Sequence, residues 1–254
     1  MGFLFIVFSL NAIADINLLD TSNSGNGVVG IEYPGDGSGR YKVVIAKGAE
    51  KYYYDYMGLK KEYFPLQCGN GEYEISILEN LYGTTYRLIK TERLNVNVAE
   101  ENIVYLQPIQ NVYWENNMSA IVKAAELTEG LELASDKVKA VYNYIVENID
   151  YDFEKLKTLD KLYVPDIDAV YNSGKGICYD YASLFASMLR SQGIPAKLVK
   201  GYSDNIDGYH AWNEVFIDGE WVIIDTTYAA VLRDKPEFNG FEKNNSAYKA
   251  ARVY

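Results

Sequence analysis

Ala211-Trp212-Asn213-Glu214-Val215-Phe216-Ile217-Asp218-Gly219-Glu220-Trp221-Val222-Ile223-Ile224-Asp225-Thr226 alternates on both sides of Asp218-Gly219. Asp-Gly between two β-rich runs is a strong signal for a two-residue type I′ hairpin turn. That turn pairs Ile217 with Glu220, so Phe216 faces Trp221 and Trp212 faces Asp225. His210 lies two residues before Trp212, on the same face. Asp225 is then its diagonal cross-strand neighbour, with Cα atoms roughly 7–8 Å apart. A slip of one residue would send Asp225 to the opposite face. His210 is the single histidine among 254 residues, so any step that needs an imidazole must use it. Taken alone, His210 reads as a solvated strand-end residue and Asp225 as a turn or cap residue. The register joins them.

Cys178 stands upstream, one of two cysteines. Cys178 to Gln192 reads as a helix ended by Gly193-Ile194-Pro195. Tyr181, Ala182, Phe185, Met188 and Leu189 share one apolar stripe with Cys178. The thiol therefore sits in the first turn, facing the core, after a flexible approach through Gly174-Lys175-Gly176-Ile177. Unpaired N–H groups and the helix dipole converge there, which favours a thiolate and offers an N–H to an oxyanion. A buried structural cysteine is the competing reading. A cysteine, a histidine and an aspartate are the parts of a thiol nucleophile, its base and its orienting carboxylate. Tyr163 and Asn172 are candidates for a second oxyanion donor.

The blocks Gly176-Ile177-Cys178-Tyr179-Asp180-Tyr181-Ala182-Ser183-Leu184, Gly193-Ile194-Pro195-Ala196 and Gly201-Tyr202 resemble the transglutaminase-like superfamily of papain-type folds, in its bacterial exported form. So do His210 to Val215 and Gly219-Glu220-Trp221 through Asp225-Thr226-Thr227. The resemblance covers about residues 120–230. It implies a Cys178-His210-Asp225 triad and an α+β core in which the Cys helix packs on an antiparallel sheet. Asp180 is typical of the motif and reads as structural, bonding nearby backbone. Members of the family cross-link proteins, hydrolyse amides or act as binding scaffolds. The expected function is an exported thiol enzyme working on amide bonds of proteins or peptides, cell-wall peptides included, through a thioester. Hydrolysis is slightly favoured over transamidation. The alternative is a non-catalytic protein- or wall-binding module on the same fold.

The rest of the chain bounds this reading. Residues 1–14 form an apolar run too short to span a bilayer, ending in Ala12-Ile13-Ala14, and read as a signal peptide without its basic n-region. That predicts a secreted or cell-surface protein with no membrane span in the mature chain. Residues 15–115 are expected to form a small β-sandwich-like domain, loop-like up to residue 27. Val28 to Tyr33, Tyr41 to Ile45, Tyr73 to Glu79 and Leu94 to Val98 are its strand candidates, and Pro34 to Gly39 is a turn cluster. Lys51-Tyr52-Tyr53-Tyr54-Asp55-Tyr56 reads as a strand rather than a sugar-binding cluster. Residues 116–254 form the second domain, with helices at Ser119 to Leu127 and at Ser135 to Asn148, Ser135 being the N-cap. The net charge of −11 argues against nucleic acid as partner. One histidine and two distant cysteines argue against zinc, and no cofactor is expected.

Overall fold

The computed structural model describes residues 18–33, 39–234 and 245–254. The candidate signal peptide and most of the Pro34 to Gly39 turn cluster fall outside these residues. The chain divides into two compact units, Met1–Val104 and Tyr105–Tyr254. The division precedes the expected boundary at 115/116 because the connecting segment belongs to the second unit. There Tyr105 packs edge-on against Trp221, with ring centroids 5.3 Å apart. The carbonyls of Gln107 and Asn111 accept bonds from Arg190 and Ser183.

The first unit contains β1 (Leu19–Asp20), β2 (Val28–Ile31), β3 (Tyr41–Lys47), β4 (Glu50–Tyr56), β5 (Glu62–Pro65), β6 (Gly71–Tyr82) and β7 (Thr85–Val96). They form two antiparallel sheets, ordered β1-β2-β5 and β4-β3-β6-β7. Phe64 of β5 packs against Tyr54 and Tyr56 of β4, at 5.0 and 6.3 Å between centroids. The tyrosine run is thus a strand whose alternate rings fill the space between the sheets. The 15–27 stretch is less loop-like than expected: Leu18 and Leu19 are buried and β1 pairs with β2.

The second unit contains α1 (Ser119–Thr128), α2 (Ala134–Asn148), β8 (Asp150–Tyr151), α3 (Phe153–Thr158), α4 (Ile167–Ser173), β9 (Lys175–Gly176), α5 (Cys178–Ser191), β10 (Ala196–Ser203), β11 (Ile206–Ile217), β12 (Glu220–Ile224), α6 (Thr226–Leu232) and β13 (Tyr248–Val253). The main sheet runs β12-β11-β10-β13, antiparallel throughout. Ile217 pairs with Glu220 and Phe216 with Trp221. Asp218 and Gly219 both take positive φ, 52° and 89°, as a type I′ turn demands. The expected register is therefore the observed one.

Three local expectations are corrected. The N-cap of α2 is Leu133, not Ser135, and it makes no side-chain capping bond. The approach to Cys178 is strand β9, paired in parallel with β8. Helix α5 is buried from Asp180 to Arg190 on all sides, not along a stripe. Ser183 and Ser187 make its other side look polar, but their hydroxyls donate to the carbonyls of Asn111 and Tyr113 at 2.9 and 3.3 Å. The 105–113 segment thus covers the face that periodicity assigns to solvent. On the sheet side, the Asn213 amide donates to the Ala182 carbonyl at 2.9 Å and the Lys197 carbonyl at 3.0 Å, tying α5 to β10 and β11.

Candidate active site

Cys178 is the first residue of α5, and its thiol is free and partly buried. Its N–H lies in the first turn, where helical N–H groups lack an intrahelical acceptor. The turn is held from below by Asp180, which is 0 % exposed. Asp180 Oδ2 accepts the N–H of Ile177 at 2.9 Å and the Lys155 ammonium at 2.6 Å. The Tyr163 hydroxyl donates to Oδ1. Asp180 is structural, as expected, but Lys155 and Tyr163 were not foreseen as its partners. Tyr163 is engaged there rather than free as an oxyanion donor, and Asn172 is an exposed residue of α4. Replacing Asp180 by alanine leaves the N–H and the ammonium without their acceptor. That variant is expected to lose about 2–4 kcal/mol in urea unfolding. A loss under about 0.5 kcal/mol would overturn this account of the turn.

His210 lies on β11 opposite Gly201 of β10. The glycine is required there: a Cβ would meet the Lys249 carbonyl oxygen at 2.1 Å and the Trp212 ring at 2.8 Å. His210 is 3 % exposed and Asp225 0 %. His210 Nε2 meets Asp225 Oδ2 at 2.8 Å. The Cys178 thiol lies close enough to the imidazole to help raise its pKa. The three residues singled out from the sequence are thus brought together, with the ring between thiol and carboxylate.

Asp225 does not lie in the strand expected to run from Glu220 to Thr226. β12 stops at Ile224, and Asp225 caps α6, its Oδ1 accepting the N–H of Tyr228 at 3.0 Å. Oδ2 also accepts the Tyr248 hydroxyl at 3.0 Å. The cap reading and the histidine-partner reading of Asp225 are both correct, one for each oxygen. Tyr248 comes from β13, and its ring lies 5.0 Å from that of Trp212. Nothing local in the sequence announces this third donor.

The electrostatics follow from the geometry. Burial drives the imidazole towards its neutral form, but the hydrogen bonds and charges of Asp225 and Cys178 overcome it and hold the His210 pKa up at about 9. Burial raises Tyr151 to about 12, with Cys178 adding to the shift. Burial lowers the Lys200 ammonium to about 8, while Cys178 pulls it back up. Among the described residues no cluster of three or more His, Cys, Asp or Glu side chains is placed to hold a metal ion.

Residues 122–226 match the Transglutaminase-like superfamily. Over 110 residues the chain is 32% identical to the kyphoscoliosis peptidase of Mus musculus, covering 39% of this chain and 16% of that one. It is 32% identical over 124 residues to YebA of Bacillus subtilis (strain 168), covering 41% and 17%. The chain thus spans about a sixth of the length of these curated relatives. Among solved structures, the periplasmic domain of TgpA from Pseudomonas aeruginosa aligns with 81% of this chain and 70% of its own. Its TM-score is 0.41 at 16% identity. The matched span holds Cys178, His210 and Asp225, and this part of the chain is a transglutaminase-like domain.

Proposed function

We propose that this chain is a cysteine-dependent enzyme acting on amide bonds of proteins or peptides through a thioester. The observation that carries the reading is the buried imidazole of His210, hydrogen-bonded to Asp225 and near enough to Cys178 for the thiol to raise its pKa. Cys178 is the nucleophile. His210 takes the thiol proton and later delivers it to the leaving amine, and Asp225 fixes the ring's tautomer and orientation. The Cys178 N–H is one oxyanion donor. A binding module gives no reason to bury a histidine and an aspartate, since removing charged groups from water costs several kcal/mol per ion, only partly regained by pairing. Hydrolysis is favoured because water is the default acceptor. Residues 1–14 support export, to a site where wall peptides or surface proteins are substrates.

Incubation with a glutaminyl protein and a labelled amine tests the reaction. Hydrolysis gives deamidated side chains or new termini with little label, whereas label incorporated in stoichiometric yield means transamidation. Activity that survives Cys178→Ala would refute the thioester route.

A further inference from the structure

Lys200 is a half-buried cation that the triad leaves unused. It lies on β10 next to Gly201, the partner of His210. Its ammonium sits 3.3 Å from the centroid of the Tyr179 ring, and Tyr179 directly follows Cys178. The Tyr254 ring lies on another side, at 5.5 Å. Among the described residues no carboxylate lies within ion-pair distance of it. Two other half-buried lysines of this unit are paired with carboxylates, Lys155 with Asp180 at 2.6 Å and Lys197 with Glu214 at 3.0 Å. A charge held among aromatic faces gains from their quadrupoles, yet this only partly offsets its lost hydration. Even lowered to about 8 it stays mostly charged near pH 7. Its ring partner Tyr179 directly follows Cys178 in the first turn of α5, so an anion that neutralises it would lie beside the thiol.

We infer that Lys200 is a specificity residue, an anion-recognising group beside Cys178 that selects acyl donors carrying a carboxylate next to the amide under attack. The substrate class is an acidic peptide, with an aspartyl, glutamyl or terminal carboxylate adjacent to the scissile carbonyl. The inference rests on the proposed role of Cys178 as the nucleophile. The carboxylate would replace the hydration that Lys200 lost on folding.

Two alkylating probes of nearly equal size test it without a known substrate. Iodoacetate is an anion and iodoacetamide is neutral, and both react with the same thiolate. The ratio of their rates at Cys178 therefore cancels the thiolate fraction and reads the local charge. The experiment uses the full chain in a Cys68→Ser background near pH 7. Lys200→Met is expected to lower the iodoacetate-to-iodoacetamide ratio about tenfold, and Lys200→Arg to keep most of it. A ratio unchanged in a folded Lys200→Met variant overturns the inference and makes Lys200 a structural cation. His210→Ala separates this failure from that of the proposed function. If iodoacetamide reacts equally fast with and without His210, the nucleophile assignment fails, and this inference with it. If His210 matters and Lys200 does not, only the specificity assignment falls.

Discussion

Alanine at His210 is expected to lower turnover of any amide or ester substrate by about 10³–10⁴-fold. The size of the effect follows from the composition. This is the chain's one imidazole, so no neighbour can replace it as proton carrier. Of the tyrosines around the site, Tyr248 donates its hydroxyl to Asp225, and Tyr151 is raised to about 12, chiefly by burial. Neither is a base near neutral pH. Cys178→Ala is expected to be equally inactive, and the double variant no worse than either, because the two act as one unit. Unfolding is the competing cause of a loss. The His210→Ala cavity, about one imidazole in volume, costs about 1–3 kcal/mol, and a thermal melt shows whether the fold survives. His210→Gln keeps most of the volume and a donor for Asp225, and it should be as inactive with a smaller stability loss. A folded His210→Gln protein that retains more than about a tenth of the activity would refute the role given to the ring.

How far the sequence foretells such a site depends on how local its cause is. The His210–Asp225 pairing was readable because Asp218-Gly219 fixes the hairpin register by itself, and everything on that face follows from alternation. In the first unit β2, β3, β4 and β6 were readable as β-rich runs, whereas β1, β5 and most of β7 were not. The start of α6 was not. Thr226 and Thr227 are β-branched and continue the look of a strand, whereas the chain turns helical because Asp225 caps it. The full burial of α5 was hidden by Ser183 and Ser187, whose partners lie about seventy residues upstream in sequence. Arg190 is 2 % exposed inside that helix. It was invisible as a core residue because what makes it tolerable is three carbonyls, those of Gln107, Ala196 and Tyr254. Lys155, Tyr163, Lys200 and Tyr248 share this property. Each is placed beside the site by packing between distant segments, and no spacing rule reaches that far.

The same lone histidine makes the electrostatics of the site measurable. A chain with one histidine gives one imidazole Cε1–H resonance, so its pH titration reports His210 with no assignment needed. The midpoint is expected near 9 in the native protein. Asp225→Asn removes the main force raising it, and burial then dominates, so the midpoint should fall below 6.5. Cys178→Ser removes the smaller contribution and should give an intermediate value. Stability follows the same equilibrium. The folded imidazole binds its proton more tightly than the unfolded one, whose pKa is about 6.5. The stabilisation is therefore complete below about 6.5 and is lost as pH rises through about 9. The difference between the two values corresponds to about 3 kcal/mol. Lys200 works in the opposite sense, since its folded value of about 8 lies below the ordinary one. Stability should therefore be compared between the native chain and His210→Gln, with Lys200 present in both. The native chain should lose its advantage in urea midpoint between pH 6.5 and 9. A resonance titrating near 6.5, or an advantage that does not change with pH, would mean that Asp225 does not hold the ring as a charged pair.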